Sequence, residues 1–208
     1  MALRKVAAAL GAATLVVAAA APAAADEAET LAWSQTTARG LFKLCLADAP
    51  DAAVVAEHGE VWGWPRFMGY LEHPDGYRRE AGGESRMIRQ DGDLSAYVEA
   101  TIQSGVVTTA KPDPVRYFRC NMASDQKVAG DLAAYFTDLY GAPASKTDAA
   151  TVWLDGAAKG AAPESDDEAL KAVEAGGAEA RGMRIELTHE NGLDRAKLTL
   201  FQKAPPSG

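Results

Sequence analysis

Three histidines carry the most obvious chemical capacity, and each sits beside carboxylates. His58 neighbours Glu57 and Glu60, His73 neighbours Glu72 and Asp75, and His189 is followed by Glu190 and Asp194. A histidine with a carboxylate partner is a common general base, so all three are candidate catalytic residues of a hydrolytic site. Their spacing does not bring a nucleophile or further ligands to any of them. His189-Glu190 begins like the zinc motif H-E-x-x-H, but its fifth position is Leu193. A zinc site needs three or four converging ligands, so no metal and no cofactor is expected.

Ser124-Asp125-Gln126-Lys127 fits S-x-x-K, in which a lysine can activate a serine at the start of a helix. The S-D-N and K-T-G elements that accompany that chemistry are absent from the sequence. A role as helix cap accounts for Ser124. No G-x-S-x-G, Walker or dinucleotide-type glycine pattern occurs.

The stretch from Trp62 to Tyr70 holds two of the four tryptophans among glycines and Pro65. Trp62, Trp64, Phe67 and Tyr70 are therefore the candidate binding residues, because flat rings on a loop can stack on sugars or anchor a partner. Burial as a satellite core is the favoured reading, since aromatics make up only 7% of the chain. Arg78, Arg79, Arg86 and Arg89 form the one basic cluster, which reads as a solvated face.

The elements that must position these groups begin after a leader. Arg4 and Lys5 precede an uncharged run from Val6 to Ala21, then Pro22 and the small residues Ala23 to Ala25. This order is that of an export signal cleaved after Ala25. Its removal leaves 183 of the 208 residues and, with Arg4 and Lys5 gone, moves the charge from −8 to −10. The expected location is the periplasm or the medium. An acidic chain offers no field for nucleic acid, and no later segment is apolar enough to insert in a membrane. In an oxidising compartment Cys45 and Cys120, the only cysteines, are expected to bond to each other.

Leu31, Ala38, Leu41, Phe42 and Cys45 recur at helical spacing and predict a helix over residues 28–47. Pro50 ends it, and Asp51 can cap a short helix that runs through His58 and stops at Gly59. Residues 60–83 read as irregular. Within residues 85–103 the Asp91-Gly92 turn signal lies between possible strands, and 94–103 alternate as a strand, although Leu94, Val98 and Ile102 also suit a helix. Residues 115–122 form a strand with Phe118, Cys120 and Met122 on one face. A helix over 125–140 is capped by Ser124 and closed by Gly141. A short strand spans 149–155, and 156–180 reads as a flexible insertion with a short helix near 165–175.

The last element carries a checkable register. A two-residue Asn191-Gly192 turn sets Leu187 opposite Ala196, Ile185 opposite Leu198, Met183 opposite Leu200 and Glu186 opposite Lys197. It also sets His189 opposite Asp194. Residues 204–208 form a tail. The expected fold is α+β: an antiparallel sheet with two main helices on one face, and one disulfide linking the first helix to a sheet strand. Residues 26–203 make a single mature domain. The expected function is that of a small exported bacterial protein, a non-catalytic binding or envelope-accessory domain with a protein, small-molecule or glycan partner. A hydrolase using a histidine–carboxylate site and a structural or inhibitory protein-binding module are the alternatives.

Overall fold

A computed structural model describes residues 21–48, 51–61, 69–72, 78–91, 94–107 and 114–203. The chain opens with α1 (Ala21–Asp48) and α2 (Ala52–Val61). Four strands follow, β1 (Gly69–Glu72), β2 (Arg78–Asp91), β3 (Leu94–Val107) and β4 (Val115–Ser124), and then α3 (Ala129–Tyr140). The second half holds β5 (Ser145–Lys146), β6 (Ala150–Gly156), a 3-10 turn (Ala157–Gly160), α4 (Asp166–Ala175), β7 (Arg181–Glu190) and β8 (Leu193–Lys203). All eight strands form one antiparallel sheet in the order β1-β2-β3-β4-β8-β7-β6-β5. Two meanders thus meet at β4 and β8, and α3 carries the chain from the middle of the sheet to its far edge.

The sheet has helices on both faces because both faces are apolar along part of their length. On the first face, Phe118, Cys120 and Met122 of β4 meet Ala196, Leu198 and Leu200 of β8 and Met183, Ile185 and Leu187 of β7. Onto them pack Leu41, Phe42 and Cys45 of α1 and Val128, Leu132 and Phe136 beside and along α3. Phe42 meets Phe136 edge-on at 5.2 Å, and Phe136 lies 5.7 Å from the ring of Trp153 on β6. Such ring pairs add about 0.5–1.5 kcal/mol each beyond area burial. They tie both main helices to the sheet, as an α+β arrangement requires.

The disulfide is present: Cys45 of α1 bonds Cys120 of β4 across 75 positions of sequence. The chain-entropy account gives about 4–5 kcal/mol for closing a loop of that size.

The second face is covered by α4 and the 3-10 turn. Ala158, Ala169 and Val173 are fully buried there, against Tyr117, Val152, Leu154 and Phe201. The segment expected to be a flexible insertion is thus in large part a second helical layer. Its small alanines let the helix approach the sheet closely, a role that alanine-rich composition conceals. Gly156 and Gly182, cross-strand partners, permit this approach. A side chain on Gly156 (φ +61°) would run into the Arg181 carbonyl, and one on Gly182 would meet Val173 Cγ2 at 2.8 Å.

Several finer expectations are corrected. Residues 69–72 and 78–83, read as irregular, are strand, and the possible strand before Asp91 is the remainder of β2. The charged, glycine-rich start of β2 lacks the alternation of a strand, and pairing with β3 supplies the order instead. Residues 94–103 belong to a strand, which settles that ambiguity. Asp91 pairs with Leu94, while Gly92 of the turn signal lies outside the described residues. Asp51 does cap α2, with its Oδ1 accepting from the Val54 N–H at 3.3 Å, but the helix passes Gly59 and ends at Val61. The predicted β7–β8 register holds at every pair named, with Asn191 (φ 54°) and Gly192 (φ 78°) both left-handed in the turn.

Candidate functional site

Three polar constellations stand on this scaffold. The first joins β7, β8 and α3. The register that sets His189 opposite Asp194 is realised as a 2.7 Å contact between His189 Nδ1 and Asp194 Oδ1. Asp194 is buried, and its other oxygen accepts from the Ala129 N–H, the first residue of α3, at 2.7 Å. This carboxylate is the cap of α3. Ser124, expected in that role, is fully buried, and its Oγ instead accepts from the Gln126 N–H in a local turn, so the helix starts four residues later.

A histidine held by a carboxylate through Nδ1 has the orientation of a catalytic base. Here the third member does not arrive. Ser124 pairs with Asp194 across the β4–β8 ladder, so the carboxylate lies between the serine and the histidine. Lys127 is exposed, and the S-x-x-K pattern assembles no activated serine. His58 sits exposed on α2, whose first N–H is bound by Ser104 of β3. The structure thus does not bring His58 and His189 to a common pocket. His73 lies outside the described residues, as do Trp62, Trp64 and Phe67, while Tyr70 is placed only by its backbone in β1. Arg78, Arg79, Arg86 and Arg89 lie along β2, with Arg86 in register with Glu99.

The second constellation is an ionic hub on the far face. Ser165 caps α4 through the Glu168 N–H, and Asp166 follows as the first helical residue. Asp166 Oδ2 receives Lys197 Nζ at 2.6 Å, Arg119 Nη2 at 3.0 Å and Thr199 Oγ1 at 3.3 Å, while Oδ1 receives Arg184 Nη1 at 3.2 Å. Arg184 is buried and also donates to Glu186 at 2.8 Å and to the Pro163 carbonyl at 3.1 Å. Burial would raise the Asp166 carboxyl, but the Lys197 hydrogen bond and charge, then the two arginines, outweigh it and hold the group below its ordinary value. Each of these cations meets Asp166, although Arg119 Nε is buried without a hydrogen-bond partner, and the hub reads as the latch that docks α4.

The third is a cleft of about 280 Å³ where the C-terminus of α3 passes over the ends of β6 and β7, lined by Tyr140, Asp155, Gly156, Arg181, Gly182 and Met183. Its walls are fixed by the backbone. The Trp153 indole N–H donates to the Gly141 carbonyl at 3.2 Å and pins the end of α3 beside Tyr140. Its polar groups are different in kind from the hub. Among the described residues the Arg181 guanidinium and the Tyr140 hydroxyl have no hydrogen-bond or ion-pair partner. Asp155 uses Oδ1 for an exposed pair with Lys159 at 3.0 Å. Burial pushes the Tyr140 phenol up, the Asp155 and Tyr135 neighbours add to that, and Arg181 opposes them. Among the described residues no histidine, serine or cysteine lines the cleft.

Among the described residues no three His, Cys, Asp or Glu side chains converge as metal ligands, and no helix is long and apolar enough to cross a membrane. No protein-family model, curated protein or solved structure matches the chain.

None of the cleft residues was singled out from sequence. The available signal was small: Asp155-Gly156 and Arg181-Gly182 each place a charge before a glycine at a strand terminus.

Proposed function

We propose that this chain is an exported bacterial envelope protein that binds a small polar molecule in the cleft between Tyr140, Asp155 and Arg181, without catalysis. The observation that carries the reading is the pair of unpartnered polar groups, Tyr140 and Arg181, held on rigid elements around a concave space. Ligand sites combine a preformed cavity with a few convergent polar groups, at volumes of roughly 300–1,000 Å³, and this cleft, at about 280 Å³, falls just below that range. Export is supported by the ordered leader sequence and by the Cys45–Cys120 bond. Cleavage after Ala25 is compatible with the packing, since residues 26–29 are exposed and Thr30 is the first described side chain to be buried.

Thermal melts of the mature protein and of Arg181→Gln test this reading against a panel of propionate, ethylamine, alanine and glucose. A ligand present at a hundred times its Kd adds about 2.7 kcal/mol, which is a shift of several degrees for a chain of this size. The expected result is that at least one probe raises the Tm of the parent and not of Arg181→Gln. Stabilisation of neither, or of both equally, refutes the cleft as the site.

A further inference from the structure

Resting on that binding reading, we infer that the cleft takes a zwitterion of amino-acid size, its carboxylate on Arg181 and its ammonium on Asp155.

Arg181 and Asp155 line the cleft with opposite charges and do not pair with each other. Asp155 is in register with Met183 on the β6–β7 ladder, which sets Arg181 on the adjacent diagonal of the same sheet face. Diagonal cross-strand neighbours stand about 7–8 Å apart at Cα. Arg181 and Asp155 could therefore have paired across the strands, yet no ion pair joins them. Arg181 is exposed and its whole fork of donors is unused, the geometry that receives a carboxylate bidentately. Asp155 gives one oxygen to Lys159, itself 65% exposed, and among the described residues its Oδ2 has no partner. Tyr140 lies within electrostatic reach of both charges, as its opposed responses to Asp155 and Arg181 show. Its hydroxyl can donate to a ligand oxygen or accept from a ligand N–H.

A ligand with one charge would engage one wall only, whereas a molecule carrying both signs a few ångströms apart would meet the open Arg181 fork and the Asp155 oxygen beside the Lys159 pair together. Gly156, Gly182 and Met183 complete the lining, and the volume of about 280 Å³ limits the size of the ligand.

Calorimetric titration with alanine, propionate and ethylamine, on the parent, Arg181→Gln and Asp155→Asn, separates the outcomes. The inference expects alanine to bind the parent at least tenfold more tightly than propionate or ethylamine. In Arg181→Gln the advantage of alanine over ethylamine should vanish, and in Asp155→Asn its advantage over propionate should vanish. Equal binding of all three probes, or preference for a singly charged one, with sensitivity to Arg181→Gln, overturns the zwitterion and keeps the cleft. Binding of none overturns both. Retained alanine preference in both variants places the ligand elsewhere and also overturns the inference. Arg181 is exposed and without side-chain partners, so its substitution should leave the fold intact, as circular dichroism would verify.

Discussion

Replacing Asp166 by alanine tests the logic of the far face, because this single carboxylate is met by three cations and a hydroxyl. The loss can be worked from exposure. Arg184 is 4% exposed but keeps Glu186 and the Pro163 carbonyl, so it is weakened and not abandoned. Lys197 and Arg119 are each about one-third exposed, 33% and 32%, so water takes up part of their charge. Removing one member of a buried ion pair costs about 3–5 kcal/mol, and these two considerations place the cost near the lower bound, about 3 kcal/mol. Loss of an acid in the first turn of α4 adds about 0.5 kcal/mol through the helix dipole. A total of about 3–4 kcal/mol corresponds to a Tm lower by about 10 °C. Urea unfolding followed by circular dichroism, with the disulfide intact, measures it. The same experiment at low pH supplies an internal control. The Asp166 carboxyl is depressed in the folded state, so its stabilisation is full above the ordinary carboxylate value of about 4 and is lost as pH falls through the lower folded value. The gap between the parent and Asp166→Asn should therefore begin to narrow below about pH 4 and close as pH falls through the lower folded value. A loss under about 1 kcal/mol for Asp166→Ala, the range of exposed pairs, would refute the reasoning, as would a gap that does not depend on pH.

Three further outcomes follow from other contacts. Asp194→Ala removes the cap of α3 and the His189 contact and should cost about 1–2 kcal/mol, while His189→Ala should cost far less, which a urea series on both variants would show. Replacing Cys45 and Cys120 together by alanine should lower stability by about 4 kcal/mol on the chain-entropy account, readable as a drop in the urea midpoint. Burial and Asp155 raise the Tyr140 phenol, so its stabilisation is full below the ordinary tyrosine value of about 10 and is lost as pH rises through the folded one; difference absorbance against Tyr140→Phe should show a tyrosine that titrates late.

How much of this was legible beforehand depended on range in sequence. The β7–β8 hairpin could be read in full because its turn residues and its alternating apolar positions lie within twenty residues and agree on one register. The same arithmetic foresaw His189 beside Asp194, but not that Asp194 also reaches Ala129, a contact made only when β8 inserts next to β4. Ser124 was assigned that cap because it is the nearest polar residue in sequence. The start of β2 reads as irregular because Arg78 to Gly83 carries charge and glycine where a strand usually alternates, and its partner β3 provides the ladder. The cleft was invisible for a related reason. Tyr140, Asp155 and Arg181 come from a helix end and two strand ends, and they meet only through the β6–β7 pairing and the Trp153 bond to Gly141.

The central claim is that the cleft at the end of α3 is a binding site for a small zwitterion. Amide chemical shifts of the uniformly 15N-labelled mature protein, recorded through a titration with alanine, test it most directly. The account predicts saturable changes centred on residues 140–141, 155–156 and 181–183, absent in Arg181→Gln. No saturable change, or changes centred on residues 62–70 with the cleft unmoved, would contradict it.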